Sequence, residues 1–479
     1  MPAEPQPPPA TEQLVYESDW LASRPFFYDL RSGRASHNIN EVIDLADLEF
    51  DPEGFNDYLD FGFSVFERTP VRGVHMLRYS ARLLRGPAGL RVEYLDDPAW
   101  AWLDRRSTVD EVLELASAKI NAAAATADGE IVVPTSGGFD SRLINVLLGD
   151  RRRVHAFTYG VSDDPRRSAE AVKARELARR LGIRWDLVPL GDFHRYLDEW
   201  DALFGVSTHA HGMYQIEFYR DLLSRVAPGS LVLSGSCGDW FAGKDRTLQT
   251  VDELRSIVDF MEVFRFTGGM WADSRRSRFT SAHLGVRRLL EETPLLRTDK
   301  LSRVFTVVRV RLALLSYLVT VPAALGFRTC APYLDIDLAM RMLTLPPELR
   351  LERRWERELF ARRGVDLEMG TPPADERNTL NFQAMRRLPL RPLDVDLLRE
   401  VVEPDYVRWI NRLVGPLGLP SELLWRLAWT PGFRRASEAL RPTGLADRRM
   451  TAYGAYLTLR PIEALLRRRD AARCGQETP

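Results

Sequence analysis

The sequence predicts an α/β protein in which a parallel, doubly wound sheet is preceded by a small β-rich region and followed by an all-helical region. Two patterns support this prediction. Between residues 131 and 233, short apolar runs alternate with segments of helical period, which is typical of a parallel sheet covered by helices on both faces. From about residue 251 onward, helical spacing dominates and no further series of strands is visible.

These patterns divide the chain into four segments. Its 479 residues are too many for one ordinary hydrophobic core, so more than one domain is expected. Residues 1–22 start with a Pro-rich stretch that lacks the layout of a signal peptide, and they are predicted to form a disordered tail. Residues 23–106 are predicted to be β-rich, 107–250 to form the α/β sheet, and 251–479 to be helical.

Four short apolar runs are predicted to be the strands of the sheet, at residues 131–134, 154–159, 183–188 and 231–233. Helical spacing precedes the first run at 108–123 and separates the others at 141–148, 168–181 and 214–226. Ligands of such sheets bind beyond the carboxyl ends of the strands. The loops that follow the strands are therefore where functional residues are expected.

Composition excludes several classes of protein. The formal net charge is -1, so the chain lacks the basic surplus that general nucleic-acid binding needs. Three scattered cysteines without metal-site spacing favour a reducing compartment, and we expect a cytoplasmic protein. The most apolar stretch, residues 304–327, contains Arg309, Arg311 and Pro322, so a buried helix is expected there rather than a membrane span.

A glycine-rich turn, SGGFDS at residues 136–141, follows the first predicted strand and opens the next helix. Paired glycines allow the backbone to approach an anion closely, and the free N–H groups of the helix start point toward the same place. A carboxylate beside phosphates requires a cation between them, so Asp140 is a candidate Mg²⁺ ligand. The alternative is a plain strand–turn–helix connection whose glycines serve only the turn.

A second glycine-rich turn, LSGSCGD at residues 233–239, follows the fourth predicted strand. It provides a second isolated carboxylate, Asp239, at the same edge of the predicted sheet. Two carboxylates from two strand ends can jointly hold Mg²⁺ on a triphosphate, because this ion retains water and needs few protein ligands. The alternative for Asp239 is an ordinary helix cap.

The two turns resemble the ATP-binding loops of the asparagine synthetase family. SGGFDS is similar to the family's pyrophosphate loop, and LSGSCGD lies where the family has a second glycine-rich acidic loop. A third similar segment runs from Arg328 through the PYLD sequence at 332–335 to the Leu-Pro pair at 345–346. The order and spacing agree across residues 108–359. The resemblance implies an ATP-pyrophosphatase sheet of the adenine nucleotide α-hydrolase type.

The resemblance also implies a reaction. A substrate carboxylate attacks the α-phosphate of ATP, and an amine or ammonia then displaces AMP to leave an amide. The implied catalytic residues are Asp140, Asp239, Arg328 and Lys244, with Mg²⁺ bound by the two aspartates. The residues implied to bind ATP come from both loops and from the end of the second strand: Ser136, Gly137, Gly138, Phe139, Ser141, Thr158, Tyr159, Gly160, Ser234 and Gly235.

The chain departs from the family in its N-terminal region. Glutamine-dependent members expose a catalytic cysteine at residue 2, whereas this sequence has Pro2 and no cysteine before Cys237. Residues 25–95 nevertheless resemble the second half of the family's glutaminase domain. We therefore interpret residues 23–106 as a truncated region that cannot hydrolyse glutamine, since it has no nucleophile.

The second loop and a later lysine differ as well. Ser236 stands where asparagine synthetase has a glutamate, which leaves the recognition of aspartate open. The family's later active-site lysine falls near Arg353, and an arginine keeps its proton at neutral pH. Lys244 is a nearby substitute for that lysine, and a plain surface lysine is the alternative interpretation.

Together these features predict an ATP- and Mg²⁺-dependent amide-forming ligase that has no glutaminase of its own. Its expected partners are a small-molecule or peptide carboxylate and an amine or ammonia donor. An alternative within the same class is a natural-product cyclase similar to β-lactam synthetase or the lasso peptide cyclase. Alternatives outside it are a catalytically degenerate ATP-binding scaffold and a sulfur-transfer enzyme that would need a reactive Cys237.

Overall fold

The computed structural model describes residues 12–243, 272–282, 284–368, 374–416 and 448–476. Lys244, one of the residues implied to be catalytic, lies outside the described residues. The described chain is a mixed α/β structure with many helices, a five-stranded parallel sheet and two smaller three-stranded sheets.

The N-terminal region forms the two small sheets, as its β-rich sequence predicted. Antiparallel pairing joins them in the orders β1-β5-β6 and β3-β2-β4. The strands are β1 Gln13–Glu17, β2 Phe27–Asp29, β3 Ala35–Ser36, β4 Val74–Met76, β5 Ala81–Gly86 and β6 Gly89–Tyr94. Two helices that were not predicted, α1 Ile39–Val42 and α2 Pro52–Phe61, lie between β3 and β4.

Strand β1 corrects the prediction of a disordered tail over residues 1–22 for residues 12–22, whereas residues 1–11 lie outside the described residues. The strand pairs with β5, with Gln13 opposite Arg85 and Glu17 opposite Arg82. The hydrogen-bonding partner of this short segment lies more than sixty residues farther along the chain, so local composition does not reveal it.

The central sheet contains the four predicted strands and one more. Its spatial order is β11-β10-β7-β8-β9, and every neighbouring pair is parallel. The strands are β7 Ile131–Pro134, β8 Val154–Tyr159, β9 Arg184–Val188, β10 Leu231–Leu233 and β11 Arg328–Cys330. Three strands have the predicted bounds and β9 begins one residue later, so the parallel sheet predicted from the sequence is confirmed.

Strand β11 corrects the prediction of an all-helical region after residue 251. It has three residues and pairs in parallel with β10, with Leu231 opposite Arg328 and Leu233 opposite Cys330. A run as short as Arg-Thr-Cys has no period that distinguishes it from a loop. It forms a strand because its backbone pairs with the edge of β10.

Both faces of the central sheet are buried. Ile131 and Val133 belong to one hydrophobic cluster, whereas Val132, between them, belongs to another that includes Phe157. Successive side chains of a strand point to opposite faces, so the two clusters are the layers on either side of the sheet. This arrangement explains why the strands read as continuous apolar runs rather than alternating ones.

The four helices predicted around the sheet are present, with ends that differ from the predicted ones by at most three residues. The helices of the first half are α3 Val109–Ala125, α4 Phe139–Leu147, α5 Ala169–Leu181, α6 Leu197–Phe204, α7 Tyr214–Leu223 and α8 Gly238–Ala242, of which α3, α4, α5 and α7 are the predicted ones. The later ones are α9 Leu284–Glu292, α10 Lys300–Leu315, α11 Tyr317–Ala324, α12 Ile336–Leu343, α13 Pro347–Arg350, α14 Arg354–Arg362, α15 Leu380–Arg387, α16 Val395–Leu398, α17 Pro404–Val414 and α18 Arg449–Gln476.

The apolar stretch over α10 and α11 is buried, as the sequence predicted. Within the described part of the chain, Lys300–Ala324 is the one segment long and apolar enough to cross a membrane, but 72% of its apolar window is buried inside the protein. Arg309 on this segment is buried and donates to both carboxylate oxygens of Asp97, at 2.7 and 2.8 Å. A charge paired in this way is compatible with a protein interior.

The N-terminal region is joined to the rest of the molecule by specific hydrogen bonds. The Trp20 indole N–H donates to the carbonyl of Leu334 at 2.8 Å, and Arg309 Nε donates to the carbonyl of Trp20 at 2.8 Å. Trp20 also belongs to the same hydrophobic cluster as Ile131 of the central sheet. The two parts of the chain therefore share one core.

Candidate active site

The order of the strands places a crevice between β7 and β10. From β7 the sheet extends through β8 to β9, and the chain then returns to the other side of β7 to form β10 and β11. Connections that leave two adjacent strands in opposite directions open a crevice at their carboxyl ends, where α/β proteins bind ligands. The loop at residues 136–141 follows β7 and the loop at 234–239 follows β10. The structure thus brings the two predicted loops together.

The first loop is held in a conformation that only glycine fits well. Gly137 has a φ of 70°, and a Cβ there would lie 2.4 Å from Lys173 Cβ and 2.8 Å from Ala174 N of helix α5. Helix α4 follows, and its N-cap residue, Gly138, provides no side-chain hydrogen bond. The first N–H groups of α4 therefore remain available to an anionic ligand.

Two serine hydroxyls fix the shape of this loop. Ser141 Oγ accepts a hydrogen bond from Ser136 N at 3.3 Å, and Ser136 Oγ accepts one from Gly138 N at 3.2 Å. Ser136 and Gly138 are exposed, whereas Ser141 is buried. The loop is therefore shaped before any ligand arrives, and its exposed edge faces solvent.

A buried arginine that the sequence analysis missed supports the loop from behind. Arg142 is fully buried and donates to the carbonyl of Gly137 at 2.7 Å. It also donates to both carboxylate oxygens of Glu368, at 3.0 and 3.1 Å. Burial opposes ionisation of Glu368, but the bonds from Arg142 lower the pKa of this carboxyl to about 2.

The second loop packs directly against Asp140 of the first. A Cβ on Gly235 would lie 3.0 Å from Asp140 Cβ, and one on Gly238 would lie 3.0 Å from Asp140 Cγ. The PYLD segment reaches the same residue, because the Tyr333 hydroxyl donates to the backbone carbonyl of Asp140 at 3.0 Å. Three separate segments that were singled out in the sequence therefore meet at Asp140.

The carboxylate of Asp140 lies among other charged groups. The Arg353 guanidinium donates to Asp140 Oδ1 and to Glu356, with one bond to Glu356 Oε1 of 2.8 Å. Burial has the largest effect on the pKa of Asp140 and raises it, Arg353 lowers it, and the nearby Asp239 and Glu356 carboxylates raise it. The combined result is a pKa of about 7. Burial also raises the pKa of Glu356, and Arg353 opposes this effect. The Arg353 guanidinium thus bonds to two carboxyls, of which Glu356 is buried and Asp140 is partly exposed.

Arg353 has an unusual backbone conformation. Glu352 has a φ of 53° and Arg353 a φ of 56°, in the left-handed region that side chains other than glycine seldom adopt. Two such residues in succession cost on the order of 1–3 kcal/mol each, and strain of this kind is concentrated at functional sites. The Arg353 guanidinium also lies 4.9 Å from the centroid of the Phe139 ring, which helps to place it over the loop.

In the sequence, Arg353 is noticeable only because it falls near the position of the family's lysine, and nothing distinguishes Glu356. Their spacing does predict that the two side chains are neighbours, because an arginine and a glutamate three residues apart at the start of a helix lie on the same side of it. Nothing local indicated that they would reach Asp140, which lies 213 positions away in the chain.

Asp140 and Asp239 are suited to a cation that arrives with phosphates. Asp239 lies in the first turn of α8 and is close enough to Asp140 to raise its pKa. Across the described residues, no group of three or more His, Cys, Asp or Glu side chains is arranged to hold a metal ion. Two carboxylates nevertheless suffice for Mg²⁺ when substrate phosphates and water supply the other ligands.

The end of β8 lies beside the first loop, as predicted, but its side chains are occupied internally. Thr158 Oγ1 donates to the carbonyl of Thr135 and accepts from Trp185 Nε1 at 3.0 Å. The Tyr159 ring packs edge-on against two other aromatic rings, and a Cβ on Gly160 would lie 2.2 Å from the carbonyl oxygen of Pro165. The side chains of this segment are therefore committed to contacts within the protein.

Two other residues that were implied to be functional, Ser234 and Arg328, lie at opposite ends of the sheet. Ser234 lies in the second loop, with its hydroxyl 2.5 Å from that of Ser236. Arg328 is different, because it begins β11 at the amino end of the sheet and donates to Thr126, at 2.7 and 2.8 Å. The loops lie at the carboxyl end. This position gives no support to a catalytic role for Arg328.

Cys237 lies in the second loop but is buried. Burial raises the pKa of its thiol far above the usual range, and the neighbouring Asp239 and Asp140 carboxylates raise it further. The thiolate is the reactive form of cysteine, so an uncharged thiol in this position is inert. This environment argues against a sulfur-transfer role.

Comparison with known families agrees with this site. The sequence model of the asparagine synthase family matches residues 115–363, slightly more than half of the chain. The match includes both glycine-rich loops, Tyr333, Arg353 and Glu356, and it excludes the small N-terminal sheets. No curated protein sequence matches the chain significantly.

Proposed function

Because the chain belongs to the asparagine synthase family, whose members are ATP-using ligases, we propose that it adenylates a carboxylate and transfers the acyl group to an amine. The observation that supports this proposal best is the convergence of both glycine-rich loops and Tyr333 on Asp140. We assign the central sheet to the doubly wound ATP-pyrophosphatase type, adenine nucleotide α-hydrolase-like, because its two central strands each lead into one of these loops.

In the first step, a carboxylate oxygen of the substrate attacks the α-phosphorus of ATP. The bond between this phosphorus and the bridging oxygen breaks, and pyrophosphate leaves with the electron pair. The free N–H groups at the start of α4 and the hydroxyls of Ser136 and Ser141 donate hydrogen bonds to the departing oxygens. Preorganised donors of this kind stabilise developing charge without reorganising during the reaction.

Asp140 and Asp239 would hold Mg²⁺, which neutralises charge on the phosphates when it is bound. Asp140 must lose its proton to do so, and its pKa of about 7 allows this near neutral pH. The Arg353 guanidinium provides a positive charge beside Asp140 in addition to that of Mg²⁺. Arg353 bonds to Asp140 through Nη2 and to Glu356 through Nε and Nη2, which limits its guanidinium to one orientation.

In the second step, the nitrogen of the amine attacks the acyl carbon, the bond to the AMP oxygen breaks, AMP leaves with the electron pair, and the nitrogen gives up one proton to water. The hydroxyl of Ser236, which stands where asparagine synthetase has a glutamate, is too weak a base to take up this proton at neutral pH. The nitrogen comes from ammonia or a substrate amine, since the N-terminal region has no cysteine nucleophile. We place this reaction in the cytoplasm.

The test is exchange of labelled pyrophosphate into ATP, measured with Mg²⁺ and a panel of small and peptide carboxylates. Exchange that depends on one class of carboxylate is the expected result, and it identifies that class. Asp140→Asn should reduce the exchange to background. Asp110→Asn, an exposed aspartate in the first turn of α3, is the matched control and should leave it unchanged.

The same experiment separates the alternatives. A peptide that becomes cyclic without an added amine would identify the cyclase. ATP binding without exchange for any carboxylate would instead identify a scaffold. Absence of ATP binding in the wild-type protein would overturn the proposal as a whole.

A further inference from the structure

A second cavity of about 620 Å³ lies between the start of α10 and the segment that links α12 to α13, and no residue of the glycine-rich loops lines it. Much of its wall is apolar and includes Leu103, Leu301, Leu343 and Leu345. Its volume is within the range of small-molecule binding pockets, which are mostly apolar with a few placed polar groups.

Three basic side chains, Arg106, Lys300 and Arg350, and two acidic ones, Asp299 and Glu348, line this cavity, so its wall has a formal charge of +1. Arg350 is only 5% exposed, and its side chain makes a single hydrogen bond, from Nε to the carbonyl of Leu345 at 3.2 Å. Arg106, also in the wall, donates only to the backbone carbonyls of Leu103 and Arg105. Neither arginine has a carboxylate within ion-pair distance in the part of the chain that the structure describes.

The charge of Arg350 is poorly compensated. Burial, together with the smaller effect of the positive charge of Arg106, lowers the pKa of Arg350 to about 10. A buried charge is costly unless it is paired and hydrogen bonded. The wall does include acids, but Asp299 accepts the N-cap hydrogen bond from Ser302 N at 2.6 Å and Glu348 is exposed.

We propose that this cavity binds an organic anion, with a carboxylate or phosphate head paired with Arg350 and Arg106 and an apolar body against the leucines. The site is distinct from the nucleotide loops, so the proposal goes beyond adenylation. It lies close to them, however. A Cβ on Gly243, which ends α8, would lie 2.3 Å from the carbonyl oxygen of Arg350, and Arg353 follows three residues later.

The test uses the full-length protein without ATP, so that its outcome does not depend on the proposed reaction. Hexanoate and hexyl phosphate serve as probes with the two possible heads, while hexanol and inorganic phosphate each lack one part of the ligand. Binding is measured by calorimetric titration. We expect at least one of the two amphiphilic anions to bind roughly tenfold more tightly than hexanol or phosphate, because a hydrogen bond to a charged group contributes this much.

Three variants test whether the probes bind in this cavity. Arg106→Glu changes an exposed side chain and should weaken binding by at least about tenfold. Arg105→Glu makes the same change of charge at a neighbour that stacks on Trp102, 4.5 Å from its ring, and that does not line the cavity. It should bind like the wild type. Arg350→Met tests the buried arginine. If this variant does not fold, the comparison of Arg106→Glu with Arg105→Glu still shows whether the anion binds in the cavity.

Three results would overturn the proposal: no binding of either anion to the wild-type protein, equal binding of hexanol, or equal affinities of the Arg106→Glu and Arg105→Glu variants. The preference between hexanoate and hexyl phosphate identifies the head group that the two arginines accept.

Discussion

The Arg353 guanidinium donates a hydrogen bond to the Asp140 carboxylate, and 213 positions of the chain separate the two residues. The first lies on a strained turn before α14 and the second in the first turn of α4. Their contact joins the helical half of the molecule to the loop that follows β7. The contact also lowers the pKa of Asp140, which burial raises.

We expect Arg353→Gln to reduce pyrophosphate exchange by at least about tenfold, since it removes a charged hydrogen-bond donor from Asp140 and Glu356. Arg354→Gln is the control, because this neighbour is exposed and pairs only with Glu358, at 2.7 Å. Exchange rates of the two purified variants are compared at saturating ATP. Equal rates would show that Arg353 has a structural role at most.

Gly137→Ala should destabilise the protein by about 1–3 kcal/mol and abolish binding of ATP. The reason is the φ of 70° together with the 2.4 Å approach of a Cβ to Lys173. Gly129→Ala is the matched control, since no atom lies within 4 Å of its Cβ position. Its free energy of unfolding should change by less than about 0.5 kcal/mol. Denaturant unfolding and a nucleotide titration measure both effects.

Asp57→Asn should stabilise the protein increasingly as pH rises. Asp57 is buried on α2 with neither carboxylate oxygen hydrogen bonded, and burial together with nearby acids raises its pKa to about 8. The folded pKa exceeds the unfolded value of about 4, so the wild type loses stability between pH 4 and 8, by up to roughly 1.4 kcal/mol per pH unit. The asparagine variant has no such proton to lose.

The difference in melting temperature between Asp57→Asn and the wild type should therefore widen from pH 5 to 8 and stay constant above it. Asp96→Asn makes the same substitution at an exposed position and is the matched control, measured over the same range of pH. A constant difference for Asp57→Asn would mean that this carboxyl is already ionised at pH 5.

A thiol reagent such as a disulfide dye should react quickly with one cysteine of the native protein. Cys474 is exposed, whereas Cys237 is buried and burial raises the pKa of its thiol. Cys474→Ser should remove the fast phase and Cys237→Ser should not. Retention of pyrophosphate exchange in Cys237→Ser would exclude sulfur chemistry at this loop, and its loss would revive that alternative.

Much of the central sheet could be predicted because its signals are local. The strands β7, β8 and β10 are short apolar runs next to amphipathic helices, and period alone distinguishes them. The two glycine-rich loops were found for the same reason, since each motif lies within a few residues of a strand end. Asp140 and Asp239 follow from these loops directly.

Features that depend on distant partners could not be predicted. Strand β11 exists because β10 offers it an edge, and β1 because β5 does. Arg142 is a site residue only through its contacts with Gly137 and Glu368. Arg328 is the reverse case, because the resemblance implied a role in the site and the residue begins its strand at the opposite end of the sheet.

The hydrogen bond from Trp20 to Leu334 limits how this protein can be recombined. Leu334 lies in the segment whose Tyr333 supports Asp140, so the N-terminal region helps to build the wall of the site. A chimera that joins the N-terminal region of a relative to this sheet would have to reproduce the indole at residue 20 and the carboxylate of Asp97 beside Arg309. The region before residue 107 is therefore a structural part of the site and cannot be exchanged independently of it.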